Sequence, residues 1–290
     1  MINILNRSKN QQTIAETLFI KGIGLHSGKT VSMQLCPAEA DYGIKFIRKD
    51  LNSNNVIKAL WSNVSNTKLS TTISNQNGIS VSTIEHLMSA LSGLHIDNLK
   101  IEINGPEVPI MDGSSINFVN LIDSTAIKNL NKKRKILKVK KNIKIVKDDC
   151  SVELKPNNQF SIDFEINFPS KLVNHQSCQL QLINGNYKTD IASARTFGFE
   201  KDVDMLRSNG LALGGSLENA VVVGENKILN SDGLRFKDEF VRHKILDSIG
   251  DLYLAGAPIQ GYFLGNKSGH YLNNMLLRSL FSNNNNYEYI

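Results

Sequence analysis

The sequence predicts an α+β protein built of two similar units, and three observations point that way. Short stretches alternate apolar and polar residues with period two, as half-buried strands do; Asn98 to Ile103 and Phe160 to Ile166 are the clearest. Two longer stretches, one running to about Leu94 and one from about Asp238 to Leu254, read as helices. These helices can be laid over each other, His86 on His243 and Gly93 on Gly250, with Leu91 and Ile249 nearby. That weak internal repeat predicts two units that each contribute one histidine-bearing helix.

The elements follow in order. Gln12 to Cys36 reads as strands interrupted by the glycine-rich turn Lys21 to Gly28. Ser82-Thr83-Ile84-Glu85 opens the first helix, with Thr83 as its N-cap and Gly93 near its end. After the strand Asn98 to Ile103 come a loop, Pro106 to Gly113, and a further helix that includes Ile116 to Ile122. Asn129 to Lys133 has turn composition, which divides the chain into a first unit at 1–128, a linker at 129–135 and a second unit at 136–290. Val139, Ile143 and Ile145 among lysines predict a strand with one buried face. Ile191 to Leu229 fits the repeat less well and reads as an insertion, centred on 197–229, in the second unit. It holds a helix near Asp202 to Ser208, the run Gly210 to Gly215 and an apolar stretch at Ala220 to Val223. Ile259 to Leu264 is a strand, and the polar tail Asn283 to Asn286 is expected to fray.

A chain of 290 residues with 41% apolar and 21% charged residues has the composition of a soluble globular protein with a sizeable core. Met1 to Asn10 lacks the apolar region of a secretory leader, and no apolar run approaches the ~20 residues of a membrane span. Cys36, Cys150 and Cys178 are an odd number with no C-x-x-C spacing, which predicts reduced thiols and a cytoplasmic protein. The net charge of +6 is unevenly spread. Lys128 to Lys147 holds ten basic residues and no acid, leaving 23 basic against 27 acidic elsewhere. Such a segment could meet anionic lipid or nucleic acid without any enzymatic role, or be a solvated linker and strand face. It contains no aromatic residue to stack on bases, which disfavours nucleic acid.

Chemistry concentrates in a few places. In a helix, His243 and Asp247 lie one turn apart on one face and can supply two of the three protein ligands of a catalytic metal. Taken alone, such a pair is more often a surface hydrogen bond. Glu85-His86 in the other helix can add a third ligand and a general base. The H-E-x-x-H signature of zinc proteases is absent, which disfavours a metalloprotease. Lys267-Ser268-Gly269-His270 puts a histidine in a loop after a strand, where it can serve as general acid. Asp251, one turn beyond Asp247, can orient that imidazole and keep it protonated. Ala194 to Gly198 offers the Thr196 hydroxyl and the Phe197 ring in a turn. Gly210 to Gly215 lacks the Lys-Ser/Thr of a nucleotide-triphosphate loop.

Taken together and in order, these motifs resemble those of the UDP-3-O-acyl-N-acetylglucosamine deacetylases, which act in lipid A biosynthesis in Gram-negative bacteria. The resemblance runs through Gly22 to Gly28, Ser82 to Leu87, Pro109 to Ser114, Ala194 to Gly198, Gly233 to Phe236, Asp238 to Lys244, Leu246 to Leu252 and Lys267 to His270. It implies two α+β units, each a mainly antiparallel sheet, with the helices sandwiched between the sheets and the active site where the units meet. It further implies one Zn2+ (with Fe2+ as the alternative in the cell) held by His86, His243 and Asp247. Glu85 matches the general base, and His270 the charged acid with Asp251 as its partner. Thr196 matches a hydroxyl that polarises the carbonyl. Lys244 matches a substrate-contacting lysine, with Lys267 and His26 near the nucleotide. The insertion would supply an apolar acyl-chain passage, for which Leu211, Leu213, Leu217 and Val222 are suited, with Phe197 among the substrate contacts.

The implied partner is a UDP-linked acylated glucosamine, with no nucleic acid and a transient contact with the inner membrane surface, for a monomeric enzyme at the committed step of the pathway. Two positions depart from the family pattern: Lys68-Leu69-Ser70 stands where many members have Met-Leu-Cys, and Leu217 where a larger aromatic is common.

Overall fold

The computed structural model describes residues 8–183 and 185–290. Residues 1–7, on which part of the expectation about a secretory leader falls, lie outside the described residues. The chain is α+β, with sheets packed against a few helices. Two five-stranded sheets dominate. The first is ordered Leu18–Ile23, Thr30–Pro37, Leu99–Ile103, Ile44–Arg48, Val56–Lys58. The second is ordered Ile143–Lys147, Cys150–Lys155, Tyr262–Asn266, Ser161–Asn167, His175–Gln181. In both, every neighbouring pair is antiparallel except the third with the fourth. The repeat read from two histidine helices thus extends to the pairing pattern of the sheets.

The strands form where the sequence alternates. In Ser161–Asn167, Ile162, Phe164 and Ile166 are buried while Asp163 and Glu165 lie on the other face. Val31, Met33, Leu35, Phe46, Ile101 and Ile103 do the same for the first sheet, in the core that also holds Leu87 and Leu91. Helix Glu239–Tyr253 packs on Ser161–Asn167 and His175–Gln181, and helix His270–Phe281 on Ile143–Lys147 and Cys150–Lys155. Helix Glu85–Gly93 lies against Glu239–Tyr253. Nearly every residue of these two partners is buried, so they read as central helices rather than amphipathic surface ones.

Glycine makes their contact possible. A Cβ on Gly250 would stand 2.0 Å from the carbonyl oxygen of Glu85, so the helices meet backbone to backbone. Gly93 serves the same helix differently. Its missing side chain admits the Tyr187 ring, whose hydroxyl donates to Ser89 Oγ at 2.9 Å.

Several local expectations are corrected. Thr83 does not cap its helix: its backbone is left-handed, at φ 56°, and its hydroxyl donates to Glu107 Oε1 at 3.1 Å. The joint at 129–135 is not free turn, because Ile127–Lys133 is a strand antiparallel to Asn10–Ile14. The predicted strand around Val139 to Ile145 divides into Leu137–Val139 and Ile143–Lys147, and Ile259 to Leu264 into Ile259–Gln260 and Tyr262–Asn266. Each half joins a different sheet. The tail does not fray: Asn284–Asn286 is a 3-10 turn leading to the strand Tyr287–Tyr289, paired with Leu137–Val139. His270 opens a helix instead of lying in a loop. Within the 191–229 segment, Phe197–Phe199 pairs in parallel with Val221–Val223, flanking helix Val203–Ser208.

Among the described residues, five of the ten basic residues of the 128–147 segment are engaged by side-chain partners. Arg134 is buried in an ion pair with Asp97 at 2.7 Å, and Lys132 pairs with Asp41. Lys138 and Lys140 flank Glu288, and Lys147 lies 4.5 Å from the centre of the Tyr271 ring. No helix among the described residues is long and apolar enough to cross a membrane.

The helix contact gives a stability prediction. Gly250→Ala should cost about 3 kcal/mol or more, because the Glu85 carbonyl is backbone and cannot rotate aside. Denaturant unfolding should register it as a lower midpoint at unchanged slope. Gly198→Ala, where nothing lies within 4 Å, is the control and should change little.

Candidate metal and catalytic centre

The contact between the two helices brings three donors together. His86, His243 and Asp247 are all buried, and one ligand atom from each lies within 4.8 Å of the others. Asp247 Oδ1 is 3.5 Å from His86 Nε2 and 3.4 Å from His243 Nε2. Ligands at the ~2.0–2.1 Å typical of zinc, arranged as a tetrahedron, stand about 3.3 Å apart. The donor set fits such an ion in both spacing and chemistry.

The surrounding groups aim these donors. His243 Nδ1 donates to the Ala194 carbonyl at 3.1 Å, which leaves the Nε2 lone pair facing the cluster. Burial pushes the His243 pKa down to about 3, so the ring is neutral and free to ligate. Burial alone would raise the Asp247 carboxyl, but His243 and Lys244 beside it hold it well below the usual carboxylate range. Lys244 Nζ donates to Asp247 Oδ2 at 2.9 Å and leaves Oδ1 turned to the imidazoles. On the opposite helix, the Ser115 hydroxyl donates to the His86 carbonyl at 2.7 Å.

Beside the donors stand two titratable groups whose pKa values are both raised, for different reasons. Glu85 is 3% exposed, and burial raises its pKa against the pull of His270 and His86. Its Oε2 accepts the Thr71 backbone N–H at 2.9 Å. His270 is paired through Nδ1 with Asp251 Oδ2 at 2.8 Å. Burial opposes the charge on His270, but Asp251 outweighs it and raises the pKa to about 9. A carboxyl pushed up and an imidazole kept charged, side by side, are the pairing expected of a base and an acid that act together.

Phe197 reaches this cluster through the segment that begins at Ala194, which also carries Thr196. The Phe197 ring lies 6.4 Å from that of His243, edge to face, and Thr196 N donates to the Gly113 carbonyl at 2.7 Å. The segment is clamped from beneath by a buried ion pair. Glu239 Oε1 accepts both the backbone N–H of Arg195, at 3.0 Å, and its Nε, at 2.9 Å. Because the Ala194 carbonyl holds His243, this pair also helps to fix a candidate ligand. The remaining predicted contacts lie elsewhere. Lys267 pairs with Asp149 at 3.0 Å. His26 Nδ1 accepts the Ala212 N–H at 3.4 Å, and desolvation lowers its pKa. The Leu217 carbonyl and the Val222 N–H both bond the Asn230 side chain, at 2.8 and 2.9 Å.

Some participants carry no sequence signal. Thr71 meets Asp251 across 180 residues, and Asn273 Nδ2 donates to Asp251 Oδ2 at 2.9 Å. Glu107, buried, accepts the N–H groups of His26 and Ser27 and the Thr83 hydroxyl, tying the glycine-rich turn to the start of the His86 helix. No motif singles out these residues, since each works through partners distant in sequence.

Comparison with known proteins agrees with the geometry. The sequence model of the UDP-3-O-acyl N-acetylglycosamine deacetylase family matches residues 11–282. A UDP-3-O-acyl-N-acetylglucosamine deacetylase of Geobacter sp. (strain M21) is 51% identical over 270 residues, covering 93% of this chain and 88% of its own. Proteins of the same name from Syntrophus aciditrophicus and Shewanella violacea are 45% and 46% identical, covering 96% and 97% of this chain and 88% and 92% of theirs. The chain belongs to the UDP-3-O-acyl-N-acetylglucosamine deacetylase family.

Proposed function

We propose that this chain is a zinc-dependent amide hydrolase that removes the N-acetyl group of UDP-3-O-(3-hydroxyacyl)-N-acetylglucosamine. The products are acetate and the free 2-amine. The observation that carries the reading is the buried His86, His243 and Asp247 donor set, with Glu85 and the His270–Asp251 pair beside it. When bound there, the ion lowers the pKa of water and polarises an amide carbonyl.

The chain's own groups supply the proton transfers. Glu85 takes a proton from the water that adds to the acetamide carbon. Its burial raises its basicity above that of a solvated carboxylate. The Thr196 hydroxyl donates to the carbonyl oxygen as negative charge develops on it, and charged His270 stabilises the same charge. His270 then gives its proton to the departing nitrogen as the C–N bond breaks. Asp251 keeps that proton in place until it is needed. Lys244 holds Asp247 in its ligating orientation and stands within reach of substrate.

We read the chain as two similar units, 1–128 and 136–290, each giving one histidine helix, with the site where they meet. The shared pairing pattern of the two sheets supports this. Leu213 and Leu217 are 51% and 49% exposed on the 191–229 segment, which suits an apolar passage for the acyl chain, with Leu211 and Val222 alongside. His26 and Lys267 are assigned to the nucleotide end.

Five outcomes test this reading. Acetate release from the UDP-sugar should stop on chelation and return with zinc, and Asp247→Ala should weaken metal retention on dialysis by more than the ~10–100-fold typical of losing an outer partner. Glu85→Ala and His270→Ala should each lower kcat by about 10²–10⁴-fold while keeping the metal; wild-type rates in both would overturn the assignment of base and acid. His270 must be charged to act, so activity should hold at neutral pH and fall as the pH rises through about 9. Asp251→Asn removes the group that raises this pKa, and should move the basic limb of the kcat/KM profile to lower pH by ~1 unit or more.

A further inference from the structure

We propose that Thr71 is a positioning residue of this centre, registering the acid pair and the base against each other from a single point. Its two polar donors go to two different functional carboxylates. The hydroxyl donates to Asp251 Oδ1 at 2.6 Å, and the backbone N–H donates to Glu85 Oε2 at 2.9 Å. Thr71 is 2% exposed, so both bonds are shielded from competing water.

The geometry at Asp251 assigns the hydroxyl its task. Oδ2 already serves the His270 ring and the Asn273 amide, at 2.8 and 2.9 Å. Thr71 is the hydrogen-bond partner of Oδ1 among the described residues. A carboxylate held at one oxygen alone can rotate about its Cβ–Cγ bond; held at both, its plane is fixed, and with it the direction in which it presents His270. Glu85 is fixed from the same residue, so any shift of Thr71 displaces base and acid partner together.

Thr71 is itself anchored at both ends of its segment. Upstream, the Trp61 ring stacks on Phe281 at 5.0 Å, Asn274 donates to the Trp61 carbonyl at 3.0 Å, and Arg278 to the Val64 carbonyl at 3.1 Å. All three partners lie on the helix that His270 opens. Downstream, Thr72–Ser74 pairs with both Val64–Asn66 and Ser80–Val81, and the latter leads to the Glu85 helix. The segment from Trp61 to Ser74 thus bridges the helix bearing the acid and the helix bearing the base. The sequence around Thr71 gives no hint of this, since a threonine at the start of a strand needs no special role.

The test compares Thr71→Val, which removes the hydroxyl at nearly constant shape, with Thr71→Ser, which restores it, and with Thr71→Ala should the valine variant fold poorly. For the zinc-loaded proteins we expect unchanged metal content, a melting temperature lowered in Thr71→Val by the lost buried hydrogen bond and restored in Thr71→Ser, a kcat about tenfold to a hundredfold lower for Thr71→Val at unchanged KM, and its recovery in Thr71→Ser. In the Asp251→Asn background, Thr71→Val should add little further loss, because the two act as a unit. A second readout is the hydrogen-bonded Nδ1 proton of His270, followed by NMR in histidine-labelled protein. It should shift in Thr71→Val and return in Thr71→Ser. Wild-type kcat and an unmoved resonance in Thr71→Val would overturn the proposal, as would equal losses in the serine and valine variants or additive losses in the double variant. The activity arm rests on the proposed deacetylation and the resonance arm does not. An inactive wild-type protein would therefore count against the reaction, while the resonance still decides the role of Thr71.

Discussion

The structure turns on one contact: the backbone of Gly250 against the carbonyl of Glu85. At that approach two buried helices come close enough for side chains from both to share a few ångströms of space. His86 arrives from one, and His243 and Asp247 from the other. A methyl group at position 250 would stand 2.0 Å from the Glu85 carbonyl oxygen, so the helices could not keep this approach. Glu85, next to His86 in the chain, lies close enough to His270 for the two to interact electrostatically. Packing and chemistry are here a single constraint, and the small residue that allows the packing also sets the donor spacing.

Around this contact the polar groups are arranged in layers, each fixing the one inside it. The Arg195–Glu239 pair holds the segment whose Ala194 carbonyl orients His243. Lys244 engages one oxygen of Asp247 and leaves the other for the cluster. Thr71 and Asn273 hold Asp251, which holds His270. A buried charge is tolerable only when paired and hydrogen-bonded, and this centre buries several. The pairings do more than reduce that cost. By fixing which atoms are already engaged, they decide which lone pairs and protons remain free.

Much of this was legible in the sequence, and the parts that were not share a cause. His243 and Asp247 were visible as a pair because helical geometry puts residues four apart on one face, whatever the fold. Glu85 and His86 stood out through their residue types and the match of their helix to the other. By contrast, reading Thr83 as a cap failed because the residue hands its hydroxyl to Glu107, 24 positions away. The joint at 129–135 looked like linker because its residues are polar, yet as far as Lys133 it belongs to a strand completed by Asn10–Ile14, more than a hundred residues earlier in the chain. Asn283 to Asn286 looked frayed for the same reason, and it leads into a strand paired with Leu137–Val139. Composition reports solubility, whereas pairing depends on what the rest of the chain offers.

The sequence by itself determined the fold class, the family and the residue types from which a metal centre could be assembled. These follow from local periodicity and from motifs whose members are neighbours along the chain. The tertiary structure alone decided that the two helices touch, that three candidate donors lie within 4.8 Å of one another, and that Thr71 bonds both Glu85 and Asp251. Those are distances between residues far apart in sequence, set by how two buried surfaces close on each other, and no local pattern encodes them.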